Sequence, residues 1–169
     1  MLEKIKITLT ILIILLHVPT VATAQSTTGA STGLPVPRFV SLKSDEVNVR
    51  TGPGTRYPIQ WLYRRDGLPV EIVEEFDLWR KIRDIEGATG WVHKSMLEGS
   101  RRAFIRGKEA QVVRANPEAD ARPLLKAEPM VITDVMECEV RWCRVQVSGR
   151  KGWIEKKHLW GVYPDEVFD

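Results

Sequence analysis

Strict alternation runs through Trp142-Cys143-Arg144-Val145-Gln146-Val147. Cys143, Val145 and Val147 fall on one side; Trp142, Arg144 and Gln146 fall on the other. A period of two residues sends these side chains to opposite faces of a strand whose apolar face is buried. Ser148-Gly149-Arg150-Lys151-Gly152 then predicts a turn, and Trp153-Ile154 opens the next strand. Earlier in the chain Ile82 falls in a comparable strand, Glu86 to Gly90 is the turn, and Trp91-Val92 follows. After residue 24 no long stretch carries the 3.6-residue apolar period of an amphipathic helix. Short strands at close spacing predict an all-β fold, a small barrel or sandwich, in which closure removes exposed strand edges.

The pattern occurs twice. Val47-Asn48-Val49-Arg50 is followed by Trp79, Gly90-Trp91-Val92 and Leu97. Gln111-Val112-Val113-Arg114 is followed by Trp142, Gly152-Trp153-Ile154 and Leu159. The steps from Arg to Trp to Trp to Leu are 29, 12 and 6 residues in the first half and 28, 11 and 6 in the second. Four landmarks in the same order, each within one residue, define an internal repeat of 62–64 residues. The expected organisation is therefore two tandem small barrels, over residues 38–99 and 100–169.

The first 24 residues read differently. Lys4 and Lys6 precede an apolar run from Ile7 to Val18, Pro19 ends it, and Ala22-Thr23-Ala24 supplies small residues. These are the parts of a secretory signal peptide cleaved between Ala24 and Gln25. The 12-residue run is short of the ~20 that span a bilayer, so a membrane contact is expected only through an uncleaved leader. No Cys follows the junction to accept a lipid. Residues 25–37, Gln-Ser-Thr-Thr-Gly-Ala-Ser-Thr-Gly-Leu-Pro-Val-Pro, hold little to bury and predict a flexible linker. The expected location is periplasmic or secreted.

Export changes the reading of the two cysteines. Cys138 and Cys143 flank Glu-Val-Arg-Trp at the tip of an expected hairpin, and an oxidising compartment makes a disulfide the default. Two buried thiols are the alternative; a redox pair is disfavoured because the spacing is not Cys-x-x-Cys. With 2 Cys and 3 His the chain has too few ligands for a closed structural zinc site, and no metal or cofactor is expected. Lys and Arg number 25 and Asp and Glu 22, a formal net charge of +3, which argues against a nucleic-acid surface. Cys143 with His93 or His158 is the one thiol–imidazole combination, and a disulfide accounts for Cys143 better than a nucleophile. The adjacent acids Asp45-Glu46 and Glu74-Glu75 are expected on a solvated face.

Asn48-Val49-Arg50-Thr51-Gly52-Pro53-Gly54-Thr55-Arg56-Tyr57-Pro58 resembles the entry motif of bacterial SH3-like (SH3b) domains. Gly90-Trp91-Val92 through Leu97 resembles their closing strand and short terminal turn. The resemblance covers Phe39–Glu98 strongly. The second unit, Arg101–Val162, departs from it, with Arg114-Ala115-Asn116-Pro117 in place of Gly-Pro-Gly. The mature chain is similar to exported tandem SH3 proteins of Gram-negative bacteria. That resemblance implies five- to six-stranded barrels and a non-catalytic role in binding peptide, peptidoglycan or an envelope protein. Fold alone does not fix a ligand. Gly52-Pro53-Gly54 itself reads as a rigid turn in which each Gly is free to take positive φ.

Candidate ligand-binding residues follow from aromatic and Arg placement. Arg56, Tyr57, Trp61 and Tyr63 cluster after Arg50 in the first unit, close to Arg64 and Arg65. Such a mixture binds peptide by stacking and carboxylate pairing, or holds two barrels together. Trp79 and Trp142 fall opposite the apolar strand face and are expected to form a partly exposed aromatic shelf. Trp91 and Trp153 are expected to pack in the cores.

Overall fold

The computed structural model describes residues 27–169. The expected leader, 1–24, and its Ala24–Gln25 junction lie outside the described residues. Among the described residues no helix is long and apolar enough to cross a membrane.

The fold is all-β, as the alternation predicts, and the repeat extends to strand order. The first barrel comprises β3 (Arg38–Leu42), β4 (Val47–Arg50), β5 (Ile59–Tyr63), β6 (Pro69–Phe76), β7 (Trp79–Arg83), β8 (Thr89–His93), a 3-10 turn (Lys94–Met96) and β9 (Leu97–Glu98). The second comprises β10 (Arg102–Ile105), β11 (Gln111–Arg114), β12 (Pro123–Ala127), β13 (Ile132–Cys138), β14 (Trp142–Val147), β15 (Arg150–Glu155), a 3-10 turn (Lys156–His158) and β16 (Leu159–Trp160). Each is an antiparallel seven-stranded sheet, ordered β5-β4-β8-β7-β6-β3-β9 and β12-β11-β15-β14-β13-β10-β16. The second order is the first advanced by seven strands. Even the irregularities recur: register shifts at Val49/Arg50 and Ile72/Glu74 return at Val113/Arg114 and Val135/Glu137.

Each sheet encloses its own core. Leu42, Val47, Val49, Val70, Ile72, Ile82 and Val92 form the first, and the alternating Cys143, Val145 and Val147 join Ile105, Val113 and Ile154 in the second. The glycine before each repeat Trp is needed for close approach. A Cβ at Gly90 would overlap Val49 Cγ1, and one at Gly152 would lie 2.6 Å from Val113 Cγ1.

Within the expected linker, 25–37, the described residues form secondary structure. β1 (Thr27–Thr28) and β2 (Pro35–Val36) pair antiparallel into a strap, with Val36 only 5% exposed. The anchor is Glu75, whose side chain is fully buried. Its carboxylate accepts hydrogen bonds from Ser31 N and Thr32 N at 3.0 Å each, Thr32 Oγ1 at 2.7 Å and Arg38 Nη2 at 2.6 Å. Composition reads this segment as tether because it holds little that is apolar; the hydroxyl and amide groups of Ser31 and Thr32 instead satisfy one buried anion. Glu75 is thus also a correction to the solvated-face expectation, which holds for Glu74, paired with Lys81 at the surface.

The barrels meet through aromatic residues outside the predicted cluster. The Phe39 ring lies 5.1 Å from Trp160, edge to face, and 4.9 Å from Tyr163. Tyr163 Oη donates to Glu71 Oε1 at 2.8 Å, and Arg83 pairs with the other carboxylate oxygen of Glu71. Ser41 Oγ donates to Ser100 O at 2.8 Å across the linker between the sheets.

Candidate ligand-binding surfaces

Arg50 ends β4 and turns its guanidinium to its own loop. Nη1 donates to Thr55 O at 3.1 Å and Tyr57 O at 2.8 Å, closing residues 51–58. Arg114 does the same in the second barrel, donating to Ala121 O at 2.9 Å. These arginines are loop clamps, which is why Arg begins each repeat signature.

Inside the first loop the Tyr57 ring packs on Gly52. A Cβ there would lie 2.5 Å from Tyr57 Cδ1. Neither Gly52 nor Gly54 has positive φ, so the motif needs Gly52 for contact and not for backbone freedom. Arg56 stacks over the same ring, its Cζ 5.2 Å from the centroid, and the Tyr57 hydroxyl raises the Arg56 pKa.

Trp61 and Tyr63 lie two residues apart on β5, their rings edge to face at 6.1 Å. Tyr63 Oη donates to Asp84 Oδ2 at 2.7 Å. Burial first, then this hydrogen bond, pushes the Tyr63 phenol well above its ordinary range. The predicted cluster therefore has two parts: a loop with Arg50, Arg56 and Tyr57, and a β5 pair leaning on the core.

Trp79 and Trp142 occupy equivalent positions at the start of β7 and β14 but differ in exposure. Trp79 is half-buried, with its ring 5.5 Å from His93 in an edge-to-face pair. Trp142 is 7% exposed, which corrects the expected shelf in the second barrel. Strand parity assigns a face, and here the outward face is itself covered: Gln111, Arg114, Glu155 and His158 line the same small cleft as the indole. Trp91 is buried but stands apart from the core cluster, paired with Arg50 across the strands, while Trp153 is half-buried.

Cys138 and Cys143 are disulfide-bonded, so the chain has no free thiol to pair with His93 or His158. His93 instead caps the first 3-10 turn, with Nδ1 2.7 Å from Ser95 Oγ. His158 is held below the usual imidazole range by burial and then by the charge of Lys157. No group of three potential metal ligands occurs among the described residues.

Three clefts lie outside the predicted cluster. One of about 610 Å³ opens between the strap and the C-terminal segment, with Pro37, Arg38, Arg101 and Tyr163 on its walls. One of about 460 Å³ runs along the strap beside Ile72 and Arg80. One of about 430 Å³ opens on the second barrel, between Arg106, Arg141 and Trp160. Sequence reasoning missed all three, because each is built by segments that flank the barrels or by residues that differ in chemistry between the repeats.

Two seven-stranded sheets of this order, each around its own core and with a clamped loop after its second strand, define a tandem of small SH3-like barrels. The family described as Bacterial SH3 domain matches residues 43–99 and 107–161. The chain belongs to that family and carries its domain twice. Among curated proteins it is similar to YrvJ of Bacillus subtilis (strain 168), named as a candidate N-acetylmuramoyl-L-alanine amidase. The two are 23% identical over 137 residues, 71% of this chain and 26% of that protein. This chain thus spans about a quarter of that relative's length. Among solved structures, NlpC2 and NlpC1 from Trichomonas vaginalis align over 74% and 78% of this chain and 48% of each of theirs, at 14% identity and a TM-score of 0.35. An NlpC/P60 family protein from Bacillus cereus ATCC 10987 aligns over 72% of this chain and 55% of its own, at 12% identity and a TM-score of 0.32.

Proposed function

We propose that the chain is a non-catalytic binding module of the bacterial cell envelope, exported to the periplasm or beyond, whose tandem domains grip a peptide of peptidoglycan type. The family match over both barrels carries this reading, and the amidase name of the Bacillus relative supports the cell-wall direction. Two further observations agree with it. The lone cysteine pair is consumed in a disulfide, as suits an oxidising compartment, which leaves no thiol nucleophile. The loop of Arg50, Arg56 and Tyr57 is pre-ordered, so a ligand that docks on it incurs little ordering cost.

Sedimentation with purified peptidoglycan tests the proposal. Wild type is expected in the pellet and a Tyr57→Ala/Trp61→Ala variant in the supernatant. Equal behaviour of the two overturns the cell-wall assignment. A second reading, an adaptor for another envelope protein, is favoured by the β6–β7 tip, where Phe76 and Leu78 are 58% and 41% exposed beside Trp79. Co-purification of a partner that is lost on Phe76→Ser/Leu78→Ser supports that reading.

A further inference from the structure

The cleft on the second barrel has a chemistry that its repeat counterpart lacks. Arg106 N donates to His158 O at 2.8 Å, and Lys156 N donates to Arg141 O at 2.9 Å. These two bonds set Arg106 and Arg141 at opposite ends of the 3-10 turn Lys156–His158. Both side chains are exposed, and among the described residues neither guanidinium has an ion-pair or hydrogen-bond partner. Lys157 also reaches the cleft but pairs with Glu155 at 2.6 Å. The hydrogen bond from Lys157 holds the Glu155 carboxyl below its ordinary range, and the Arg141 charge adds to the effect. The lone acid of the cleft is therefore neutralised, and two arginines remain uncompensated. Between them lie Val140, Trp160, Val162 and Pro164, with Val140 76% exposed.

The first barrel serves as an internal control. Its 3-10 turn makes the same two bonds, Lys43 N to Met96 O at 2.9 Å and Lys94 N to Leu78 O at 2.8 Å. Lys43 and Leu78 thus stand where the second barrel has Arg106 and Arg141. One residue before Leu78 is Asp77, in the position of Val140, and Glu98 stands in the position of Trp160. Two acids replace two apolar side chains, although Glu98 is itself paired with Arg102 at 2.8 Å; one cation is lost, and the strap residues Thr32 and Leu34 line the neighbouring cleft. The cleft of the second barrel is thus the more cationic of the two.

We propose that the Arg106–Arg141 cleft captures the free C-terminal carboxylate of a short peptide with small apolar side chains. Each guanidinium supplies planar donors that match a carboxylate, and the aliphatic and indole floor takes the side chains beside it. At about 430 Å³ the cleft has the size of a small-ligand site. This inference rests on the peptide-binding reading above and names the group that is read.

The probe is N-acetyl-Ala-Ala with a free carboxylate, set against the same dipeptide as its C-terminal amide. Titration of the isotope-labelled chain, followed by amide resonances, is expected to move Val140, Arg141 and Lys156 to Leu159 with the acid. The amide should bind at least about tenfold more weakly. Arg106→Gln/Arg141→Gln should lose at least about tenfold in affinity, and Val140→Asp, which installs the first barrel's residue, should do the same. Equal affinity for acid and amide, shifts confined to the first barrel, or no shift with either probe would overturn the assignment. Sedimentation with peptidoglycan separates the two readings. An Arg106→Gln/Arg141→Gln variant that sediments like wild type while wild type ignores the dipeptide sinks the cleft and spares the wall reading. Wild type that binds the dipeptide but stays in the supernatant supports the cleft and overturns the wall reading.

Discussion

Arg80 Nε lies 3.5 Å from Glu75 Oε1 across β6 and β7, at the cross-strand position that the second barrel gives to the Cys138–Cys143 disulfide. One end of each barrel thus carries a covalent or ionic cross-link, and each cross-link also holds a segment that flanks its barrel. Glu75 binds the strap through its carboxylate; Cys138 pairs its backbone with Phe168, N to O at 2.7 Å and O to N at 3.0 Å. A buried ion pair is tolerated only when its remaining lone pairs are satisfied, and Thr32, Ser31 and Arg38 do this for Glu75. Glu75→Gln is expected to lower stability by about 3 kcal/mol, because it leaves the Arg80 and Arg38 charges without their counterion. Urea unfolding measures the loss. Limited proteolysis of residues 27–36 should become faster, and a strap that stays resistant would refute the anchoring role.

The same carboxyl sets a pH dependence. Burial alone would raise its pKa, but the hydrogen bonds from Thr32, Arg38 and Ser31 outweigh burial and hold it at about 2, against an ordinary 4.5. A depressed folded-state value means the stabilisation is complete above the ordinary value and is lost as pH falls through about 2. The gap corresponds to roughly 3 kcal/mol. Thermal midpoints measured from pH 6 down to pH 2 should fall more steeply in wild type than in Glu75→Gln. Parallel curves would show that Glu75 is not the group responsible.

The parts of this fold that were legible in sequence are those fixed by local geometry. Gly90 and Gly152 are forced by contact with Val49 and Val113, and Arg50 and Arg114 by their loops, so these residues mark the repeat plainly. The strap was illegible because its partner, Glu75, is 43 residues from Thr32 and because its own residues are small and polar. Exposure was illegible at Trp142, since strand parity names the side of a sheet but not what lies over it. The interface aromatics could have been found by asking where the repeats differ. Trp160 falls where the first unit has Glu98, and Tyr163 follows just past the end of the repeat; this departure marks the surface that one barrel turns to the other.

The disulfide should act first on the second barrel. It closes a short loop, separation 5, for which the chain-entropy contribution is about 2 kcal/mol. Cys138 and Cys143 also belong to the core cluster against which Phe168 packs. Cys138→Ser/Cys143→Ser is expected to lower the unfolding midpoint and to raise amide exchange in β13, β14 and the Phe168 segment. Exchange in β3 to β9 should rise less, because only their globally exchanging amides report the loss. A uniform rise across both barrels would contradict two separate cores.

Phe39 tests how the cores communicate. Its ring touches Trp160 and Tyr163, and the Tyr163 hydroxyl reaches Glu71 on the first barrel. Wild type is expected to unfold in one calorimetric transition, because about 60 residues bury too little to stand independently. Phe39→Ala removes the aromatic contact at a cost of about 2 kcal/mol and should split the transition in two. Tyr163→Phe, which deletes one hydrogen bond worth ~1 kcal/mol, should lower the midpoint without splitting it. A single sharp transition in Phe39→Ala would show that other contacts couple the barrels.

Gly52 and Gly54 flank the same proline but answer to different neighbours, and this separates contact from backbone freedom in the entry motif. A methyl at Gly52 would meet the Tyr57 ring at 2.5 Å, whereas one at Gly54 would sit at an ordinary 3.4 Å. Neither position has positive φ, so alanine causes no backbone strain at either. Gly52→Ala must displace the ring, or move the loop that Arg50 clamps through Thr55 and Tyr57. Its stability cost should be about 1–3 kcal/mol, the usual range for overpacking, and its peptidoglycan sedimentation should fall below that of wild type. Gly54→Ala should match wild type in both measurements. If both alanine variants sediment like wild type, the ring on Gly52 is a packing element and the ligand contacts of the first barrel lie elsewhere.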